Sequence, residues 1–189
     1  GGGIYYYVGD QDTATLKNCT ITDNKGASHG AGIWVGGGTV NIYGNTVVKN
    51  NVLNDGTTEN NVEVGSGKKV SLNDSAGKVL GTSSNIGITT YTAPTSSAPV
   101  QFATGASEEM KACFTADNSD YYVDYKGSDN GLYLCVRTTY NDLYYKNNNF
   151  YSDSACSNST GITKMSEAVA SIDSSGIIHM MSQYASSAD

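Results

Sequence analysis

Arginine is nearly missing from this chain: of 189 residues only Arg137 is one, and lysine plus arginine number 11 against 18 acidic residues, a net charge of -7. No basic run is longer than the pair Lys68–Lys69. A surface that neutralises phosphates needs clustered cations, so nucleic acid is set aside as a partner. Long apolar runs are missing as well, none approaching the roughly 20 residues of a membrane span. The chain has no starting Met and no basic leader, and it opens in mid-pattern, which predicts a mature segment or a piece excised from something longer. Only two prolines occur, Pro94 and Pro99, both in the aperiodic stretch "TAPTSSAP", where a boundary or long loop is expected. The four cysteines, Cys19, Cys113, Cys135 and Cys156, form no CxxC and no Cys/His spacing of a zinc site. Cys113 and Cys135 fall in segments that read as neighbouring strands, so a disulfide between them is one reading and small buried hydrophobes the other.

What is abundant is glycine, 22 residues, and tyrosine, 14, with Ser, Thr and Asn between short runs of Val, Ile and Tyr. Such a composition predicts short strands joined by tight polar turns. The phrase "GGGIYYYVG" at residues 1 to 9 returns as "GAGIWVGGG" at 30 to 38 and, more weakly, as "NNVEVGSG" at 60 to 67. Each repeat divides into short strand candidates: Ile4–Val8, Thr13–Lys17 and Thr20–Thr22; Ile33–Val35, Thr39–Tyr43 and Thr46–Val48; Val62–Val64 and Lys69–Leu72. Ile4, Ile33 and Val62 are spaced 29 and 29, Leu16 and Ile42 lie 26 apart, and so do Ile21 and Val47. Three short strands per fixed period describe a coil in which each strand stacks on its counterpart in the next. Ile4, Tyr6, Leu16, Ile21, Ile33, Val35, Val40, Ile42 and Val47 are then expected inside, and Asn24 and Asn50 are expected to stack at one corner.

The run "GGGIYYYVG…TLKNCTITDNKG…GAGIWVGGGTVNIYGNTVVKN" resembles the right-handed parallel β-helix repeats of large bacterial surface and adhesin-like proteins. The resemblance spans about residues 1 to 90 and continues into "SSNIGITTYTAP…PVQFATG…ACFTADNSDYYVDY", which is similar to the segment closing such helices. It implies an all-β, right-handed parallel β-helix at a cell surface or outside the cell. Three regions are expected: coils over 1–92, a closing segment over 93–137, and 138–189 as linker, short helix and first strand of a following β-helix.

Tyr121–Tyr125 and Leu132–Val136 alternate around "KGSDNG" and predict a β-hairpin that covers the end of the solenoid. From Ile162 the period changes: Ile162, Met165, Val169 and Ile172 share a helical face, with Ser159 or Thr160 as N-cap and Gly176 beyond the end, followed by the strand "GIIHMMSQY".

Catalytic patterns are sparse. The carboxylates of the repeats, Asp10, Asp12, Asp23, Asp55, Glu59 and Glu63, do not recur at one coil position, and His29 and His179 lack a matched Ser or Cys. Non-enzyme is the expectation, with no cofactor. Asp117, Asn118, Asp120 and Asp124 in "DNSDYYVD" are the best oxygen-ligand group and the candidate calcium site, though the group lacks the Gly and Glu of an EF-hand. Tyr5, Trp34 and Tyr43 are the candidates for stacking on glycans. The leading expectation is a non-catalytic extracellular structural segment of a tandem array or filament, associating head to tail with copies of itself. A carbohydrate-binding module is the alternative, and a degenerate polysaccharide lyase the second.

Overall fold

The computed structural model describes residues 2–73, 77–153 and 155–181. The chain divides into two compact units, Gly1–Val136 and Arg137–Asp189. The first is a parallel β-solenoid of about four turns. Its opening turn carries β1 (Ile4–Tyr6), β2 (Thr13–Lys17) and β3 (Thr20–Thr22), and the next carries β4 (Lys25–Gly26), β5 (Ile33–Val35), β6 (Thr39–Tyr43) and β7 (Val47–Lys49). Then come β8 (Val52–Leu53), β9 (Val62–Val64), β10 (Val70–Ser71), β11 (Asn85–Thr90) and β12 (Val100–Thr104). A 3-10 helix at Glu108–Cys113 leads into β13 (Phe114–Ala116), and β14 (Tyr121–Lys126) and β15 (Gly131–Val136) form a hairpin.

Stacking follows the repeat arithmetic. Ile4 pairs with Ile33 and Ile33 with Val62, while Leu16 pairs with Ile42, as their spacings predict. The strand order of the first sheet is β1-β5-β9-β11-β7-β3, with β13 on β11; that of the second is β14-β15-β12-β10-β6-β2. The hairpin therefore extends the second sheet, β15 running antiparallel to β12. The solenoid also continues past residue 92, because β12 stacks parallel on β10. Residues 91–99 are a corner, with Pro94 buried and Thr95 bridged to Ala98.

One register differs from the expectation. Ile21 pairs with Val48, not Val47, so this face repeats at 27 residues and Val48 is the buried one. The cause is one extra residue at the preceding corner: Lys17 to Thr20 is matched by Tyr43 to Val47. Asn18 and Gly44 take up the corner in left-handed backbone, and Asn18 Oδ1 accepts the N–H of Asn45 at 2.9 Å. Downstream, Asp23 and Asn50 share the left-handed conformation, and Asn24 faces Asn51 where Asn50 was expected.

The interior is aliphatic: Ile33, Val35, Ile42, Val48, Val62, Ile86 and Ile88 are at most 1% exposed. Each such side chain contributes roughly 1.5–3 kcal/mol by leaving water.

The second unit pairs β16 (Tyr140–Lys146) antiparallel with β17 (Asn149–Tyr151) and parallel with β18 (Ile172–Met180). The hairpin β16–β17 falls where a linker was expected. Helix α1 (Met165–Ser171) starts at the cap position Lys164, which makes no side-chain capping bond, so neither Ser159 nor Thr160 is the cap. Thr160 instead donates its hydroxyl to Phe150 O at 2.7 Å. Only two turns long, α1 brings the small Ala168 against Leu143 and Phe150 and leaves Met165 and Val169 exposed. Gly176 lies beyond the helix end, as expected, and inside β18. The last residues of the expected strand, 182–184, lie outside the described residues.

Ile33→Asp is expected to abolish cooperative unfolding of the first unit, since an unpaired buried charge costs several kcal/mol, whereas Asn54→Asp on an exposed loop changes stability by no more than about 0.5 kcal/mol. Thermal denaturation followed by circular dichroism checks both, and equal melting of the two variants counts against the inward face.

Candidate functional site

A column of side-chain amides runs along one corner of the solenoid. Asn51, fully buried, accepts both the backbone N–H (3.1 Å) and the Nδ2 (2.9 Å) of Asn24 on its Oδ1. Its own backbone N–H (2.9 Å) and Nδ2 (3.0 Å) pass to Asn61 Oδ1 in the same manner. Asn61 then donates Nδ2 to Asp117 Oδ1 (2.7 Å) and its N–H to Asp117 Oδ2 (2.8 Å). The last member cannot donate onward, and a carboxylate, which only accepts, suits that place.

The handover to Asn61 follows from β11. The register Ile21–Val48–Ile86–Phe114 places Thr89 at the column position between Asn51 and Asp117. Thr89 is too short to carry the chain of amides and adds a hydroxyl bond to Asp117 Oδ2 at 2.8 Å. Asn61 occupies the position that Gly3, Gly32 and Gly87 hold ahead of Ile4, Ile33 and Ile88. A Cβ on Gly87 would collide with Asp117 Oδ1 and Asn61 Nδ2, so glycine lets the amide cross β11. Burial raises the pKa of Asp117, the bonds from Asn61 and Thr89 oppose the rise, and the charge of Glu59 adds to it.

On the outer face of the first sheet, Tyr5 pairs with Trp34, Trp34 with Glu63, and Glu63 with Thr89. Glu63 is 4% exposed, and its charge is met by the Gly30 N–H (2.9 Å), Asn60 Nδ2 (3.0 Å) and His29 Nδ1 (3.1 Å). His29 in turn lies against Trp34 and Tyr91, with ring centroids 4.9 and 5.6 Å away. Tyr5 and Tyr7 stack at 6.3 Å.

The expected calcium ligands are not brought together. Asp117 turns inward onto Asn61, Asn118 Oδ1 accepts the Asp120 N–H at 2.8 Å, and Asp124 lies 3.7 Å from Lys111 Nζ. Among the described residues no three His, Cys, Asp or Glu side chains gather as a metal site. Tyr5, Trp34 and Tyr43 do not form one stripe either: Tyr5 is 61% exposed, but Trp34 is buried beneath His29 and Tyr91, and Tyr43 is buried on the second sheet. Cys113 and Cys135 are both free, so the expected disulfide is not made. Burial raises both thiol pKa values, and Cys113 Sγ faces Gly81 O while Cys135 Sγ faces Tyr133 O. Asp10 pairs with Lys68 at 2.5 Å, and His179 lies 3.5 Å from Asp142 in the second unit.

Asn60 and Tyr91 were not singled out from sequence, and Glu63 was read only as one of the carboxylates that do not recur at one coil position. The legible signal was a lone acid at the outward position of "VEV", where the preceding coils carry Tyr5 and Trp34.

Gly87→Ala is expected to lower stability by at least about 1–3 kcal/mol, the cost of leaving buried amide groups unpaired, whereas alanine at Gly56, with open space around it, keeps only the smaller strain of its positive φ. Chemical denaturation of the two variants checks this. The raised pKa of Asp117 means that the folded chain still holds a proton where the unfolded chain has released it. Stability therefore falls as pH rises through the window just above the ordinary carboxylate range, and Asp117→Asn removes that slope. Melting temperature against pH, wild type beside variant, is the measurement.

Comparison of the chain with protein-family models, with curated proteins and with solved structures finds no match.

Proposed function

We propose that the chain is a non-catalytic structural segment of an extracellular, adhesin-like surface protein, a rod-forming spacer. The observation that carries this reading is the amide column, which bonds the first three turns of the solenoid to one another and crosses β11 to reach Asp117. Ionic pairs weaken with salt, but a buried, fully bonded amide column does not depend on ionic conditions. Low charge and buried free thiols fit the same role. The outer carboxylates are already engaged, Glu63 by three donors and Asp10 by Lys68, which favours structure over acid–base chemistry.

Head-to-tail association is part of the same proposal and is supported by the two unlike ends. The hairpin and β13 cover the later turns, while β1, β2 and β3 are outermost in their sheets, with Ile4, Leu16 and Ile21 only partly buried. An uncovered strand edge is a template for another strand. Another coil, from a neighbouring repeat or a second copy, fits there. Sedimentation velocity of the chain across a concentration series tests this. Reversible association that Leu16→Glu abolishes, with the variant still folded, is expected; a monomer at every concentration rules out self-association. Hydrolysis or elimination of a polysaccharide, lost on joint substitution of Asp10, Asp12 and His29, would overturn the non-catalytic part.

A further inference from the structure

The outer face of the first sheet joins two features that neither the column nor the spacer role uses. At one end is an aromatic surface. Tyr5, Tyr7 and Tyr91 are 61%, 67% and 58% exposed, far more than packing requires of such rings. Trp34, only 8% exposed, underlies them, 6.1 Å from Tyr91, and a Cβ on Gly36 would collide with both Trp34 Nε1 and Tyr7 Cδ2. Glycine thus lets the two rings lie over the same piece of backbone, and Tyr7 continues the surface to Tyr5.

At the other end is a cleft of about 460 Å³ with a mixed lining, polar from Thr58, Glu59, Thr89, Asp117 and Asn118 and apolar from Leu134. The same outward row connects them, Tyr5 to Trp34 to Glu63 to Thr89. Asn60 is shared, lining the cleft while donating to Glu63. The cleft exists because β11 continues straight from one face to the next, while the preceding turn makes an excursion through residues 53–60 that forms the opposite wall.

We propose that the exposed groups along this row, Tyr5, Tyr7 and Tyr91 at one end and the cleft residues at the other, seated on the buried Trp34 and Glu63, form a binding track for an extended neutral oligosaccharide. A sugar ring offers an apolar C–H face to aromatic rings and a rim of hydroxyls to carboxylates, threonines and amides, and the track presents these two chemistries in sequence along the solenoid axis. Stacked or hydrogen-bonded rings such as Trp34 and His29 lose little freedom on binding. No lysine or arginine lines the cleft, and its two acids repel anions, so acidic sugars, phosphates and nucleic acids are disfavoured. The track stands independently of the rod's assembly.

Trp34 is the chain's sole tryptophan and underlies the track, so its emission is a local probe. The full chain is titrated with cellohexaose, xylohexaose, mannohexaose and chitohexaose, with oligogalacturonate as the acidic comparison. At least one neutral hexasaccharide is expected to shift Trp34 emission saturably, and more tightly than its disaccharide. Tyr91→Ala should weaken that binding about three- to ten-fold, the loss of one stacking contact. Glu59→Gln, on an exposed residue of the cleft, should weaken the hexasaccharide and leave the disaccharide unchanged. Melting temperatures equal to wild type show that each variant is folded. No saturable shift with any neutral hexasaccharide at millimolar concentration overturns the track. So does calorimetric binding that leaves Trp34 emission unchanged, binding indifferent to Tyr91→Ala, or a preference for the acidic oligosaccharide.

Discussion

The amide of Asn51 holds three turns of the solenoid to one another. It takes two donors from Asn24, gives Nδ2 to Ile21 O, Lys49 O and Asn61 Oδ1, and is wholly shielded from water. Aliphatic side chains in neighbouring turns would pack nearly as well after a slip of two residues, because only their facing matters. A buried amide is less tolerant, since any slip leaves donors and acceptors unpaired at a cost of about 1–3 kcal/mol each. The aliphatic interior supplies most of the stabilisation, and the amide column fixes the register in which it is obtained. A second column, of hydroxyls, does related work at another corner: Thr46, fully buried, accepts from Cys19 N–H and donates its own N–H to Ser84 Oγ.

The outer surface follows from how each turn passes this column. The first two turns leave it through excursions, residues 25–32 and 52–61, whereas β11 runs on without one. The second excursion supplies Asn60 and Asn61, one buttressing Glu63 and the other carrying the column to Asp117. The first supplies His29, which seats Trp34. Loops that are irregular in sequence thus set what the regular strands expose.

The strands and most pairings were legible because their inward aliphatics recur at fixed intervals, as in Ile4, Ile33 and Val62. The shift from Val47 to Val48 was not, because one extra residue at Gly44–Asn45 leaves the hydrophobic pattern intact: both candidates are valine. Asp117 was read as a candidate calcium ligand in "DNSDYYVD", and only β13 pairing with β11 turns it onto Asn61, a residue 56 positions away in sequence. Tyr43 shows a limit of composition: an aromatic in a polar repeat suggests a surface, yet its ring is buried. The hairpin of β16 and β17 was missed because "YNDLYYKNNNFY" is too polar to stand out from a linker, although Asn147 and Asn148 in left-handed backbone make its turn.

The bond between Asn24 and Asn51 has the same donors and acceptors as the one between Asn51 and Asn61. The turn running from Asn24 to Asn51 is therefore chemically interchangeable with a tandem copy of itself. An in-frame duplication of residues 25–51 would lengthen the molecule by one turn and repeat the same amide bonds at the one new junction. Asp117 and Gly87 would be left in place to finish the series. In such an architecture, length becomes a property that unequal recombination can adjust in steps of 27 residues, without new side chains having to arise to accommodate each step.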